Sequence, residues 1–335
     1  AFAMGERSPL ALINPAAAAR MTVAETLTNL VAADLSALDR VVLSANWMAA
    51  AGSDTEDQAL FDAVTAVGEE FCPALGIAIP VGKDSLSMQT RWQQAGVDKR
   101  VVSPLTLIVS GFAPVQDVRK TLTPVLQPHM DTVLVLLQFG QQRMGGSCLA
   151  QVYGQLGDTA PDVDDAGTFK ALLEWLIDMK GRGLIHALHD RSDGGLITTL
   201  LEMAFASRMG LDVDIAAAEN LLTALFNEEI GFVAQVDTAR LQELQASAPC
   251  LCTPIARLRD DERVLIKHGD SLVGEFSRQE LQQQWAETSY RMQRLRDSEA
   301  CADEEFADIL QTRNDDPGLN SKLTFDPAQR SAPES

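Results

Sequence analysis

The sequence predicts an α+β fold in which mixed sheets pack against helices, and three observations predict it. Apolar residues recur at helical spacing through 16–33, 56–71, 169–179 and 196–204. Short β-leaning apolar runs lie between them, at 41–47, 105–114, 132–137 and 230–236. The two kinds of segment alternate without the regular rhythm of parallel βαβ units. A chain of 335 residues has room for two such domains at ~100–200 residues each.

Charge narrows the function. With 47 Asp and Glu against 27 Lys and Arg, the formal net charge is −20. Nucleic acid and anionic membrane surfaces both call for a cationic face, so neither is an expected partner. An acidic protein that handles phosphates needs metal ions or local Lys and Arg. The five cysteines (Cys72, Cys148, Cys250, Cys252, Cys301) form no CxxC pair and the four histidines are scattered. This predicts reduced thiols in a cytoplasmic setting and no zinc site. The opening residues, Ala1-Phe2-Ala3-Met4-Gly5-Glu6-Arg7, have neither a basic leader nor a long apolar run, so no signal peptide or membrane span is expected. They also lack the look of a natural start, and the chain is expected to be a piece of something longer.

In chain order, 16–33 carries Met21, Val23, Ala24, Leu27, Leu30 and Val31 at helical spacing with no internal Pro or Gly. Glu25 and Asn29 stand four apart, so both emerge on one face of that helix. They are oxygen donors suited to Mg²⁺; the plainer alternative, the usual use of Glu and Asn on a helix, is a solvent-facing polar pair. Residues 41–47 read as a buried strand ending in a polar turn, and 56–71 as the next amphipathic helix. The run 75–81 leans toward strand, although Pro80 limits how centrally it can pair. It leads into Gly82-Lys83-Asp84-Ser85, which fails as a P-loop: five residues separate Gly76 from Gly82 where the motif has four, and Asp84 stands where Ser or Thr should coordinate the metal. A glycine turn holding phosphate through Lys83 and Ser85, and a hairpin with an exposed lysine, both remain open.

After the strand at 105–114, residues 116–130 carry Pro124 and Pro128 and read as a linker. The expected division is 1–127, 128–310 and a tail at 311–335. The second domain opens with the strand 132–137, a glycine-bearing loop from Gly140 to Gly146, and a helix through Val152. A helix at 169–179 ends before Gly181 and Gly183, and a strand at 184–188 delivers His189-Asp190-Arg191-Ser192-Asp193-Gly194-Gly195 to the start of another helix. Glycines there let backbone approach a ligand, and the first helical N–H groups favour phosphate oxygens. Asp190 and Asp193 would repel bare phosphate, so that reading needs a hard cation between them. The alternative is a plain helix cap, with Ser192 or Asp193 capping and the glycines turning the chain. Beyond come a strand at 211–215, a helix to Phe226, Asn227-Glu228-Glu229, the strand 230–236, a helix from Thr238, strands near 253–258, 264–267 and 271–276, and a helix at 279–298 with an Arg- and Gln-rich face. From Asn314 the chain turns polar, with Pro317, Pro327 and Pro333, as an interdomain linker would.

Taken together, Gly5-Glu6-Arg7-Ser8-Pro9, the helix segment from Glu25 to Asn29, Ser44-Ala45-Asn46-Trp47-Met48, the tract from Pro80 to Met88, the tract from His189 to Gly195 with Glu202-Met203-Ala204 after it, and Leu225-Phe226-Asn227-Glu228-Glu229 closely resemble phosphoribosylformylglycinamidine synthase in its large single-chain form. The resemblance runs in order along almost the whole chain. It implies two aminoimidazole ribonucleotide synthetase-like domains: most of a second A-type domain, truncated at its start, and a second B-type domain, with a tail toward a glutaminase domain. The implied activity is that of a purine-biosynthesis ligase. ATP activates the formamide oxygen of formylglycinamide ribonucleotide as an iminophosphate, and ammonia from glutamine displaces phosphate. Positioning and charge neutralisation dominate such chemistry.

Carried over residue by residue, the resemblance makes Glu25, Asn29 and Asp190 Mg²⁺ ligands and Ser192 a nucleotide (ATP or ADP) contact. Gly82, Lys83 and Ser85 become candidates for substrate phosphate, with Lys83 departing from an Asn in the smaller multi-subunit form. His189 is read as a structural histidine beside the metal turn, with proton carrier as the other reading. No catalytic residue is expected in this chain, since the glutaminase nucleophile lies elsewhere. The implied partners are the first synthetase module and the glutaminase domain. Two other readings stand beside this one. A free-standing kinase or synthetase of the selenophosphate or thiamine phosphate type would need an Asp-rich metal loop before Glu25. A catalytically dead scaffold is the other.

Overall fold

A computed structural model describes residues 1–53, 55–128, 131–216, 218–315 and 322–326. His129 and Met130 of the expected linker, and most of the tail beyond 315, lie outside the described residues. The chain packs as two compact units, Ala1–Arg278 and Gln279–Ser335.

The first unit holds two main sheets. One has the order β1-β6-β2-β3, formed by β1 (Phe2–Glu6), β2 (Val42–Met48), β3 (Ala78–Ser85) and β6 (Thr106–Phe112). Helix α1 (Pro15–Leu30) packs on it, started by Asn14, whose side chain accepts the Ala17 N–H at 3.0 Å, with Pro15 pre-set for the first turn. Leu27, Leu30, Leu43 and Val109 are all buried between helix and sheet. The sequence reading missed β1, because this strand turns its small residues inward and leaves Phe2 and Met4 exposed. The reason is steric: a Cβ on Gly5 would stand 2.2 Å from the Thr22 carbonyl oxygen, so only glycine lets β1 lie this close to α1.

The expected helix at 56–71 is two pieces, with a further turn after it. Helix α2 (Glu56–Thr65) runs into a wider π-type turn (Ala66–Phe71) and then a single turn, α3 (Cys72–Leu75). Pro80 falls in β3 where its pairing with β2 loses register, and β3 is an edge strand, as that proline requires. The Gly82–Ser85 turn is corrected here. Those residues continue β3, with Gly82 opposite Ala45, Lys83 opposite Asn46 and Ser85 opposite Met48. A hairpin of β4 (Gln89–Gln94) and β5 (Val97–Val102) follows, turning at Ala95 and Gly96, both at positive φ. Nearly all of it is exposed, and without an inward face it gave no alternation to read.

The other main sheet is mixed, as expected. Its order is β13-β12-β9-β11-β7-β10-β8, with β12 parallel to β9 and every other neighbour antiparallel. The strands are β7 (Thr132–Gln138), β8 (Ala187–Asp190), β9 (Gly210–Asp214), β10 (Gly231–Asp237), β11 (Leu251–Arg259), β12 (Arg263–His268) and β13 (Ser271–Ser277). Around them run α4 (Cys148–Val152), α5 (Ala166–Gly181), α6 (Gly195–Ser207), α7 (Leu221–Phe226) and α8 (Leu241–Ser247). One apolar core spans both sheets: Phe169 of α5 lies between Phe71 and Phe139, at ring-centroid distances of 6.1 and 5.9 Å. Lys180 of α5 reaches across to the C-terminal end of α1, donating to the carbonyls of Val31 (2.9 Å) and Ala33, where a cation suits the helix dipole. Burial pushes its ammonium down to about 8, against the pull of Asp34.

Helix α9 (Arg278–Arg296) leads into the second unit, which adds α10 (Glu299–Asp308), an element the sequence reading did not contain. Tyr290 stacks on Phe306 at 4.2 Å and donates to Asp303 at 2.7 Å, and Arg294 joins the same carboxylate. Among the described residues no helix is long and apolar enough to cross a membrane, and all five cysteines are free.

Candidate nucleotide and metal site

Strand β8 sets the site through its two-residue period. Its last pair places Asp190 opposite Phe232 of β10, and the chain then stays extended enough for the Arg191 N–H to reach the Gly231 carbonyl at 2.8 Å. Arg191 therefore points inward. Its guanidinium is buried and donates to the carbonyls of Glu229 (2.6 Å), Ile230 (3.0 Å) and Phe139 (3.3 Å). Burial lowers its pKa to about 10, with Glu229 acting the other way. Asp190 and Ser192, on either side of it, are left facing α1. Gly195 then turns the chain into α6 at φ +74°, where a Cβ would press to 2.8 Å on the carbonyl oxygens of Leu225 and Asn227.

Helix α1 meets this turn with one face. The Ser192 hydroxyl donates to Glu25 Oε1 at 2.5 Å, and the Thr28 hydroxyl reaches Asp190 Oδ2 at 3.4 Å. Glu25 Oε2 accepts the Glu6 N–H at 2.7 Å. Asn29 lies one turn along from Glu25 and is tied to β1 instead, its Nδ2 donating to the Met4 carbonyl at 3.4 Å. Residues more than 160 positions apart, Glu25 with Ser192 and Thr28 with Asp190, thus meet at one place. Gly82, Lys83 and Ser85 are on edge strand β3 and take no part in these hydrogen bonds.

Three partners escaped the sequence reading. Arg7, only 4% exposed, places Nη1 2.7 Å from Asp193 and 3.8 Å from Glu25, and Nη2 3.0 Å from Glu228. Glu228 is buried, and its Oε1 accepts the N–H groups of Gly194 and Cys148, each at 2.8 Å. Thr28 is the third. Only the position of Asn227-Glu228-Glu229, directly before the apolar run of β10, hinted that these carboxylates are buried. At the start of α6 the N–H of the capping residue Gly194 is taken by the Glu228 carboxylate.

Glu25 and Asp190 are both largely buried carboxylates, 14% and 12% exposed. Burial raises the Glu25 carboxyl above its ordinary range, even with Arg7, the Ser192 hydroxyl and the Glu6 N–H working to lower it. His189 has both ring nitrogens on carboxylates, Nδ1 3.2 Å from Asp190 and Nε2 2.8 Å from Glu202. Burial opposes its charge, but those two partners raise its pKa to about 9, so the imidazolium persists at neutral pH. Glu25, Asp190 and the Asn29 amide are oxygen donors of the type Mg²⁺ takes, and by donor chemistry these residues suit that ion. A separate cavity of about 590 Å³ opens along the second sheet beside Leu136, Gln142, Ile215 and Lys267, and it contains none of these carboxylates.

Residues 1–114 match the FGAR-AT PurM_N-like domain, and residues 132–267 match the AIR synthase related protein C-terminal domain. Among solved structures, the chain is similar to Thermotoga maritima PurL complexed with FGAR, with a TM-score of 0.65 at 14% identity over 84% of this chain and 45% of that one. The T. maritima PurL complexed with ATP gives a TM-score of 0.61 at 14% identity, over 83% and 43%. Escherichia coli HypE, a hydrogenase maturation protein, gives 0.57 at 15% identity, over 79% and 81%. The chain spans less than half the length of the PurL structures it matches. The chain thus carries one FGAR-AT PurM_N-like domain followed by one AIR synthase related protein C-terminal domain, in the fold of the PurL structures.

Proposed function

We propose that this chain is the second synthetase module of a glutamine-dependent amidotransferase, which converts formylglycinamide ribonucleotide, glutamine and ATP to the amidine, glutamate, ADP and phosphate. On this reading 1–127 is the A-type domain, 128–310 the B-type domain and 311–335 the link to a glutaminase domain. Glu25, Asn29 and Asp190 would hold Mg²⁺, and Ser192 would meet the nucleotide. The hydrogen bond from Ser192 to Glu25 carries the proposal, because it puts the early helix and the late glycine turn in one place. The bound cation would supply charge neutralisation at the nucleotide phosphates. The chain's own share is to orient: Thr28 and His189 fix the Asp190 carboxylate, and Ser192 and Glu6 fix that of Glu25. Gly82, Lys83 and Ser85, on a strand away from this cluster, would serve substrate phosphate at a separate site.

The partner of the A-type domain would be the first module. The sheet face opposite α1 supports this, since Phe2, Met4, Val42 and Phe112 are exposed on neighbouring strands, with Phe2 and Phe112 in ring contact. Each site would then be shared and the isolated chain inactive. Titration calorimetry with ADP and Mg²⁺ should show weak or absent binding to the chain alone and restored binding once the remaining domains are added. Nanomolar affinity in the isolated chain contradicts the shared site. It would favour a free-standing kinase or synthetase, the reading that similarity to most of the length of HypE supports.

A further inference from the structure

Arg7 and Glu228 contact neither the nucleotide nor the cation in the reading above, and yet they are among the most deeply buried charges in the chain. From their geometry we infer that they are a positioning pair that sets the separation between α1 and the turn at 190–194. Arg7 sits in the loop between β1 and α1, at a fixed place relative to the helix, because β1 is pressed against α1 at Gly5. Its guanidinium reaches three carboxylates, Asp193 on the turn, Glu228 behind the turn and Glu25 on the helix, at 2.7, 3.0 and 3.8 Å.

Glu228 completes the clamp from the other side. One oxygen takes Arg7, and the other takes two backbone N–H groups, that of Gly194 in the turn and that of Cys148 after the glycine loop. Each acceptor on Glu228 therefore holds a different piece of chain. A buried guanidinium with a rigid fork can keep two carboxylates at fixed spacing, which a flexible ammonium does less well. Three carboxylates around one guanidinium also leave negative charge over, so the clamp holds these carboxylates in place without neutralising them all. The grouping of Cys148, Asp193 and Glu228, whose ligand-type atoms lie within 4.8 Å of one another, is thereby explained without a metal. Arg7 already supplies the cation, and burial with the nearby carboxylates of Glu228 and Asp193 raises the Cys148 thiol to about 11, which keeps it protonated.

The purpose of the pair rests on the Mg²⁺–nucleotide reading, but its geometry does not, and the two can fail separately. Amide hydrogen exchange of the ligand-free chain should be measured for Arg7→Lys and for Arg7→Met combined with Glu228→Gln, which removes both charges but keeps an acceptor for Gly194 and Cys148. Exchange at Gly194 and Cys148 is expected to quicken about tenfold or more, least in Arg7→Lys, while β10 keeps its protection. Unchanged exchange at both amides in the folded double variant overturns the inference. In protein assembled with the remaining domains, the double variant is expected to bind ADP with Mg²⁺ at least tenfold more weakly, and wild-type affinity in it also counts against the pair. If the turn loosens but Asp190→Ala leaves Mg²⁺-dependent binding intact, the metal reading falls and the positioning role stands.

Discussion

Phe169→Ala is expected to lower the stability of the first unit by about 3–5 kcal/mol, the usual cost of deleting a buried aromatic ring. Phe169 is fully buried on α5 and touches rings from two sources, Phe71 after α2 and Phe139 after β7. Its ring is therefore shared by the two sheets' layers, and the space it leaves cannot be closed by one of them relaxing alone. Aromatic pairs add ~0.5–1.5 kcal/mol each beyond area burial, which favours the upper part of the range. Chemical denaturation should show the midpoint falling with little change in slope. Phe169→Leu, which keeps most of the volume, should lose about half as much on the same cavity argument.

Glu229→Ala should cost about 3–5 kcal/mol by leaving a cation without its main partner. Glu229 is fully buried, and its carboxylate takes the Arg143 guanidinium at 2.5 and 3.0 Å and the Arg143 N–H at 3.1 Å. Arg143 in turn grips Asp164 and the Asp162 carbonyl, so it closes the loop after β7 against the end of β10. Replacing both partners, Glu229→Met with Arg143→Met, should cost clearly less than Glu229→Ala, because Arg143 is then not left without its main partner, while buried Arg191 loses the Glu229 charge in either case. A double-mutant cycle by denaturant titration measures the difference. Independent additive losses would contradict the ion-pair account.

How much the sequence disclosed follows from what kind of contact made each element. Helix α1 and strands β6, β7 and β10 were legible because their apolar period is set by a core they face for most of their length. Strand β1 was not, since its inward residues are small and its large ones are exposed. The β4–β5 hairpin has no core face, and the Gly82–Ser85 tract reads as a turn only until its pairing with β2 is seen. In the candidate site, helical spacing alone put Glu25 and Asn29 on one face, and Asp190 and Ser192 stood out beside two glycines. Arg7, Thr28 and Glu228 did not, because what they do depends on partners from 34 to 221 positions away. No local pattern encodes such a meeting.

Everything in the functional reading depends on one cation standing between α1 and the turn after β8. The direct test is a crystal structure of the chain, assembled with its remaining domains and soaked with Mn²⁺ and ADP, in which the anomalous signal locates the metal. The account predicts a peak within about 2.2 Å of carboxylate oxygens from both Glu25 and Asp190, with the diphosphate alongside. A metal bound elsewhere with the nucleotide, touching neither carboxylate, would contradict it.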